Sequence, residues 1–202
     1  MMSYSTIKPL LVNRRSIRRY QSIPVPHHMI VELLESAQWA VSAHNRQPWR
    51  FVVVQDPAQK EHLALQMGAR LRDDLKRDGQ ASDVIENDVN RSYDRITSAP
   101  LIIIVCLSMV DMDVYPDERR AYNEYIMAVQ SVACAGQNIL LTAHSLGLGA
   151  CWMCAPLFCP DVVQNALNLP NDWQPQGMIT LGYPAQERTS TRKPITDLVL
   201  WR

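Results

Sequence analysis

Leu101-Ile102-Ile103-Ile104-Val105-Cys106-Leu107 follows Pro100 and is apolar without a polar interruption. A strand with one wet face alternates polar and apolar side chains, so a run without alternation must be covered on both faces. Such a strand belongs in the middle of a sheet, with helices or a second sheet against each side. A second segment narrows the choice. From Arg119 to Leu146 the spacing is helical, yet apolar residues run almost all round, and Ala128, Ala133, Ala135 and Gly136 keep the surface small. A helix of that kind is covered on several sides, by a large core or by another subunit.

The remaining elements are shorter. Pro26 marks a helix start, with Ile30, Leu33, Leu34, Ala37 and Val41 at helical spacing. Pro48 ends any helix by Gln47, and Phe51 to Val54 is a β-branched run suited to a buried strand. The charge-mixed stretch from Asp56 to Arg95 carries one apolar helix face at Leu63, Met67, Leu71 and Leu75, broken at Gly79. Gly147 is placed to cap the long helix, Pro160 to Leu167 predicts a short helix, and Met178 to Leu181 a further strand. Separated strands and long helices favour an α+β or α/β three-layer arrangement. No repeat and no linker divides the chain, so residues 1–202 are expected to form one domain.

Twenty Lys and Arg balance 20 Asp and Glu over 202 residues. That balance argues against a surface built for nucleic acid, although charge can still gather locally. It does so at the start: Lys8, Arg14, Arg15, Arg18 and Arg19 all precede the first carboxylate, Glu32. The run Ala99 to Leu107 falls short of the roughly 20 residues of a membrane span. Met1 to Leu11 lacks the charged head and apolar core of an export signal. With five cysteines and no such signal, the expectation is a cytoplasmic protein with reduced thiols and no membrane or nucleic-acid partner.

Four segments carry chemistry. In Arg14-Arg15-Ser16-Ile17-Arg18, planar guanidiniums and a hydroxyl can hold a phosphate through several hydrogen bonds without a glycine loop. The same cluster could be an exposed basic turn. The segment from Ala40 to Trp49 gathers Ser42, His44, Asn45 and Gln47 between a helix and a strand, where such folds present sites, or where Asn45 and Gln47 cap backbone groups. Gly147-Leu148-Gly149 follows a helix and lacks the third glycine of a dinucleotide loop. Cys151 and Cys154, with Cys159, raise metal or dithiol chemistry, but Ala155-Pro156 follows the pair instead of a helix, and incidental cysteines are the simpler reading. Last comes the basic pair Arg192-Lys193.

Taken together, these segments resemble the FMN-dependent nitroreductase family. The matching elements are Arg14-Arg15-Ser16-Ile17-Arg18-Arg19-Tyr20, Ala40-x-Ser42-x-x-Asn45-x-Gln47-Pro48-Trp49, Gly147-Leu148-Gly149 with Trp152, and Leu181-Gly182-Tyr183-Pro184 followed by Arg192-Lys193. None is specific alone, but the four in this order are. The resemblance implies an α+β three-layer sandwich, a central mixed β-sheet flanked by helices, in an intertwined homodimer with two FMN sites between subunits. It implies that Arg14, Ser16 and Arg18 hold the phosphate and ribityl chain, with Arg15 and Ile17 alongside and Arg192 and Lys193 joining from the far end. Asn45 would lie beside the flavin ring, Ser42 on its substrate side, and Trp152 to Ala155, including Cys154 and Ala155, at its reactive edge.

The activity so implied is a two-step, ping-pong transfer of two electrons from NADH or NADPH through FMN to a small electron-poor acceptor such as a nitroaromatic or a quinone. No side chain is needed as a covalent catalyst, because FMN carries the chemistry. The tail from Gly147 to Trp201 also looks like the nitroreductase-like domain of deazaflavin-cofactor ligases, which implies, as an alternative, reduction of a deazaflavin precursor. Arg70 to Gly79 would then be a wall for an anionic acceptor, against the plainer reading of a solvated helix. A flavin-binding module without turnover is the third possibility.

Overall fold

The computed structural model describes residues 4–202. Six α-helices and four strands follow in the order α1 (Tyr4–Asn13), α2 (His27–Gln38), β1 (Trp49–Val54), α3 (Pro57–Arg77), α4 (Ser82–Thr97), β2 (Leu101–Leu107), α5 (Glu118–Ser145), β3 (Gly149–Met153), α6 (Pro160–Leu167) and β4 (Gln174–Gly182). The strands form one sheet in the order β1-β2-β4-β3, every pair antiparallel.

All seven residues of β2 are fully buried, and alternate ones serve opposite cores. Leu101, Ile103, Val105 and Leu107 face α2 and α5 with Leu33, Ala128, Val132 and Ile139. Ile102, Ile104 and Cys106 face α3, α4 and α6 with Leu63, Ile96 and Val163. The three layers expected from the unbroken apolar run are therefore present. Burial of each such side chain contributes about 1.5–3 kcal/mol, so the central strand is the main apolar link between the layers.

The sheet is antiparallel, not mixed as expected, and the parallel contact among the described residues is an isolated bridge beside it. Ser16 makes a parallel bridge to Ala150 on the edge strand β3, and Ile17 N donates to Ala150 O at 3.0 Å. Further on, Gln21 N donates to Tyr183 O at 2.9 Å. The basic N-terminal segment is thus stitched along the sheet edge.

α5 meets the length and composition of a membrane-crossing helix, yet Ala128, Val132, Ala135, Ile139 and Ala143 are fully buried against the sheet and α2. Its small residues have a specific use. A Cβ on Gly136 would stand 2.0 Å from the Trp152 ring, and one on Gly177 in β4 would stand 2.7 Å from its other side. The indole is therefore clamped between α5 and the sheet. Gly147, at φ +75°, ends α5 in the left-handed conformation that glycine tolerates.

Some boundaries differ from expectation. α2 stops at Gln38, and Val41, assigned to its apolar face, is 75% exposed in the following loop. β1 begins at Trp49 and β4 at Gln174, both earlier than the β-branched runs suggested. β3 and α1 were not anticipated. The glycine-cysteine motif after α5 is itself an edge strand, and α1 buries no residue.

Candidate functional site

The N-terminal cations converge because the segment that carries them pairs with β3. Arg14 and Arg15 line a cleft of about 350 Å³ with Leu140, His144, Leu148 and Gln186. Burial, then the charges of Arg192 and Arg15, push the Arg14 guanidinium below its ordinary value. Arg192, from the far end of the chain, thus stands within electrostatic reach of Arg14, as the motif order implied. Lys193 follows it, exposed.

Among the described residues, none of Arg14, Arg15, Arg18 and Arg192 is in an ion pair, whereas Arg46, Arg50, Arg70, Arg72, Arg77, Arg91 and Arg120 all are. The Arg15 side chain turns back to the carbonyls of Val12 and Arg14, leaving its buried Nε without a partner. Gln186 Nε2 is a second buried donor without one, in the same cleft. Uncompensated guanidiniums with two orphaned N–H donors suit a phosphate, whose oxygens accept from all of them. His144 at the end of α5 belongs to the same field: burial, then Arg14 and Arg15, hold its imidazole below 6.5. It stays neutral at neutral pH.

Ser16 hydrogen-bonds the Cys151 thiol, and Arg18, Arg95 and Arg14 lie near that sulfur. Burial nevertheless dominates and pushes the Cys151 thiol up, so it is no nucleophile at neutral pH. Cys154 is exposed and accepts from Trp152 Nε1 at 3.2 Å, while buried Cys159 belongs to the other core, its thiol pushed up to about 11 by burial. The three thiols face different surroundings, and the described residues hold no cluster of three or more metal-ligating side chains. Ala155 begins a short 3-10 turn, Ala155–Phe158, and faces Ser92 of α4 across a small apolar cavity.

The segment after α2 is distorted. His44, Asn45 and Gln47 have φ of 48°, 55° and 51°. Each such non-glycine residue costs about 1–3 kcal/mol and persists only where its surroundings hold it. Ser42 Oγ accepts from Gln47 N at 3.1 Å, Asn45 Oδ1 from Gln47 Nε2 at 3.3 Å, and Ser131 Oγ from Ala43 N at 3.2 Å. Arg46 pairs with Asp113, whose backbone N–H is held at 3.2 Å by buried Glu124. Asn45 and Gln47 therefore brace the loop, whose exposed edge carries the Asn45 amide.

This loop and the arginine cluster lie far apart within one chain. Ala43 is tied to Ser131, and Arg14 faces His144, thirteen residues further along α5, or about 20 Å at 1.5 Å per residue. Ser42 and Asn45 do not line the cleft of Arg14.

The proposed acidic-acceptor wall is already neutralised. Arg70 pairs with Asp161, Arg72 with Glu86 and Arg77 with Asp74, so each arginine of this stretch at the end of α3 has a carboxylate partner. Functional candidates that sequence reading missed are Arg95, Gln186 and His144. Arg95 had no mark in its charge-mixed helix, and a glutamine or a histidine gains meaning only from its neighbours.

The sequence model of the nitroreductase family matches residues 11–183. The chain belongs to the nitroreductase family. As a member it is an oxidoreductase. A protein named NADH dehydrogenase from Thermus thermophilus is 32% identical over 96% of this chain and 95% of its own length. A solved structure assigned as a nitroreductase in complex with FMN, from Desulfovibrio desulfuricans, is 27% identical, with a TM-score of 0.75 over 100% of this chain and 98% of that one. A BluB-like flavoprotein from Clostridium difficile shares the fold at 20% identity, with a TM-score of 0.80 over the whole of both chains.

Proposed function

We propose that this nitroreductase-family chain is a cytoplasmic, single-domain FMN enzyme that carries two electrons from NADH or NADPH to a small electron-poor acceptor in a ping-pong cycle. The observation that carries the reading is the pair Arg14 and Arg192, within electrostatic reach of each other and in no ion pair among the described residues, with the orphaned donors of Arg15 and Gln186 in the cleft of Arg14. The FMN complex of the Desulfovibrio relative supports the same cofactor.

In this reading Arg14, Arg15, Ser16 and Arg192 hold the phosphate, and the Ile17 backbone holds that segment against β3. FMN supplies hydride acceptance and donation when bound. Arg18 and Arg95, near Cys151, favour negative charge on the bound ring system. Cys154 and Ala155, held by the clamped Trp152, form the edge at which donor and acceptor approach in turn. Ser42 and Asn45 approach the ring from a second copy of the chain, since about 20 Å of α5 separates them from Arg14 of their own. The homodimer is thus part of the site. Lys193 assists Arg192 in this scheme, as an exposed neighbour.

The test is optical. The purified protein should show flavin bands that NADH or NADPH bleaches without oxygen and that a nitroaromatic or quinone restores. A colourless protein that fails to take up FMN would overturn the cofactor assignment, and a yellow one that neither donor bleaches would be a binding module without turnover.

A further inference from the structure

The cleft of Arg14 adjoins a second, lined by Arg18 and Arg95, and the two share Gln186 and Arg188. Both serve FMN in the function proposed above. A further cleft, of about 480 Å³, lies outside them. It has no lining residue in common with the first and only Ser98 in common with the second. It opens between the start of α3 and the end of α4, against the loop that leads from Tyr20 to α2.

Its inner wall holds Lys60, at the end of the first turn of α3 and only 6% exposed. Lys60 Nζ donates to Ala99 O at 2.7 Å, and Ala99 lines the same cleft. That carbonyl follows the end of α4, where a cation is favoured, and it takes one of the three ammonium hydrogens. Among the described residues Lys60 is in no ion pair. Asp56 stands within electrostatic reach, but it caps α3, its Oδ1 accepting from Ala58 N at 3.2 Å. Burial outweighs Asp56 and pushes the Lys60 amine below its ordinary value. A charge taken out of water without a counter-ion is costly. A buried ammonium with hydrogens to spare, in the wall of a cleft, therefore suits an anion that arrives from outside.

The rest of the lining narrows the kind of anion. Among the described residues of this lining Lys60 is the one cation, whereas the cleft of Arg14 gathers several guanidiniums. A single ammonium is a point charge that answers a single negative charge, not the forked geometry of a phosphate site. Ile23, Pro24, Pro57 and Pro100 supply apolar walls. The hydroxyls of Ser22 and Ser98, both exposed, make no hydrogen bond among the described residues and can accept or donate at the rim. The volume falls within the roughly 300–1,000 Å³ of small-molecule sites. We propose that this cleft binds a small monocarboxylic acid with an apolar body, its carboxylate on Lys60 Nζ and its body against Ile23, Pro24, Pro57 and Pro100. The inference goes beyond the FMN reading and does not rest on it.

The test is calorimetric titration of the FMN-loaded protein with benzoate, and with benzamide as a body of the same shape without the charge. Benzoate should bind at least about tenfold more tightly than benzamide, the worth of one hydrogen bond to a charged group. In Lys60→Met that preference should vanish. Ile23 is exposed, so Ile23→Asp should leave the thermal midpoint of the ligand-free protein unchanged. By putting a carboxylate into the cleft it should weaken benzoate at least about tenfold. The flavin spectrum should not move on binding at this cleft. No binding of benzoate at millimolar concentration overturns the proposal, as does a benzoate affinity unchanged in Lys60→Met, which would give the ligand to another site such as the flavin. Should Lys60→Met fail to fold, an unchanged affinity in Ile23→Asp overturns it instead. A protein that holds no FMN defeats the functional reading alone, and the same titrations on the FMN-free chain still decide this cleft.

Discussion

At the residue scale the decisive feature is cationic side chains held together without counter-ions. Arg14 is the most constrained, half-buried and facing two like charges. Arg14→Ala should weaken FMN retention by at least about tenfold, the loss of one hydrogen-bonded charge, whereas Cys151→Ala should leave it within about threefold, a contrast that fluorescence titration of released FMN reads directly. His144 supplies a pH signature. Its imidazole sits below 6.5 in the folded chain, so below that pH the unfolded chain binds more protons than the folded one. Stability of the FMN-free protein should therefore fall as pH drops through about 6.5, and His144→Asn should flatten that slope in urea melts at pH 7.5 and 5.5. Phosphate should flatten it as well, by offsetting Arg14 and Arg15. The arginine motif was legible in the order of residues; His144 and Arg95 were not, because their neighbours come from other elements.

At the element scale, β2 and α5 are the two parts whose sequence left fewest options. The unbroken run of β2 required cover on both faces and received it. Ile103→Ala should cost about 2–5 kcal/mol, measured by denaturant unfolding. α5 read as a helix needing several neighbours, and its Gly136 proves to be the seat of Trp152. Gly136→Ala puts a methyl where the indole lies, and Gly177 on the other side leaves the ring no retreat. A loss of about 1–3 kcal/mol follows from overpacking, together with a shifted Trp152 fluorescence. β3 was hidden because Gly149 to Met153 is short and its glycine suggested a loop. What makes it a strand is its pairing with β4, a contact with residues far along the chain.

At the scale of the whole molecule, the separation of Ser42 and Asn45 from Arg14 along α5 gives the expected dimer a direct assay. If one subunit supplies the arginines and its partner the Asn45 loop, Arg14→Ala and Asn45→Ala chains, each impaired alone at limiting FMN, should complement on mixing after unfolding and refolding. In a symmetric dimer, random reassortment returns about a quarter of the sites intact. No recovery would mean that each chain completes its own site. Side-chain periodicity was enough to establish layers, the buried strand and the long helix, because burial on one face or on two leaves its mark on neighbouring residues. Motif order was enough to single out the arginines to which the proposed function gives a phosphate. Three matters were decided only by the folded chain: the zipping of the arginine segment onto the edge of β3, the neutralisation of Arg70 to Gly79 by nearby carboxylates, and the concentration of unpaired arginines in two adjoining clefts. Each depends on which charges and backbone groups meet across long sequence separations, and no local pattern in the sequence records that.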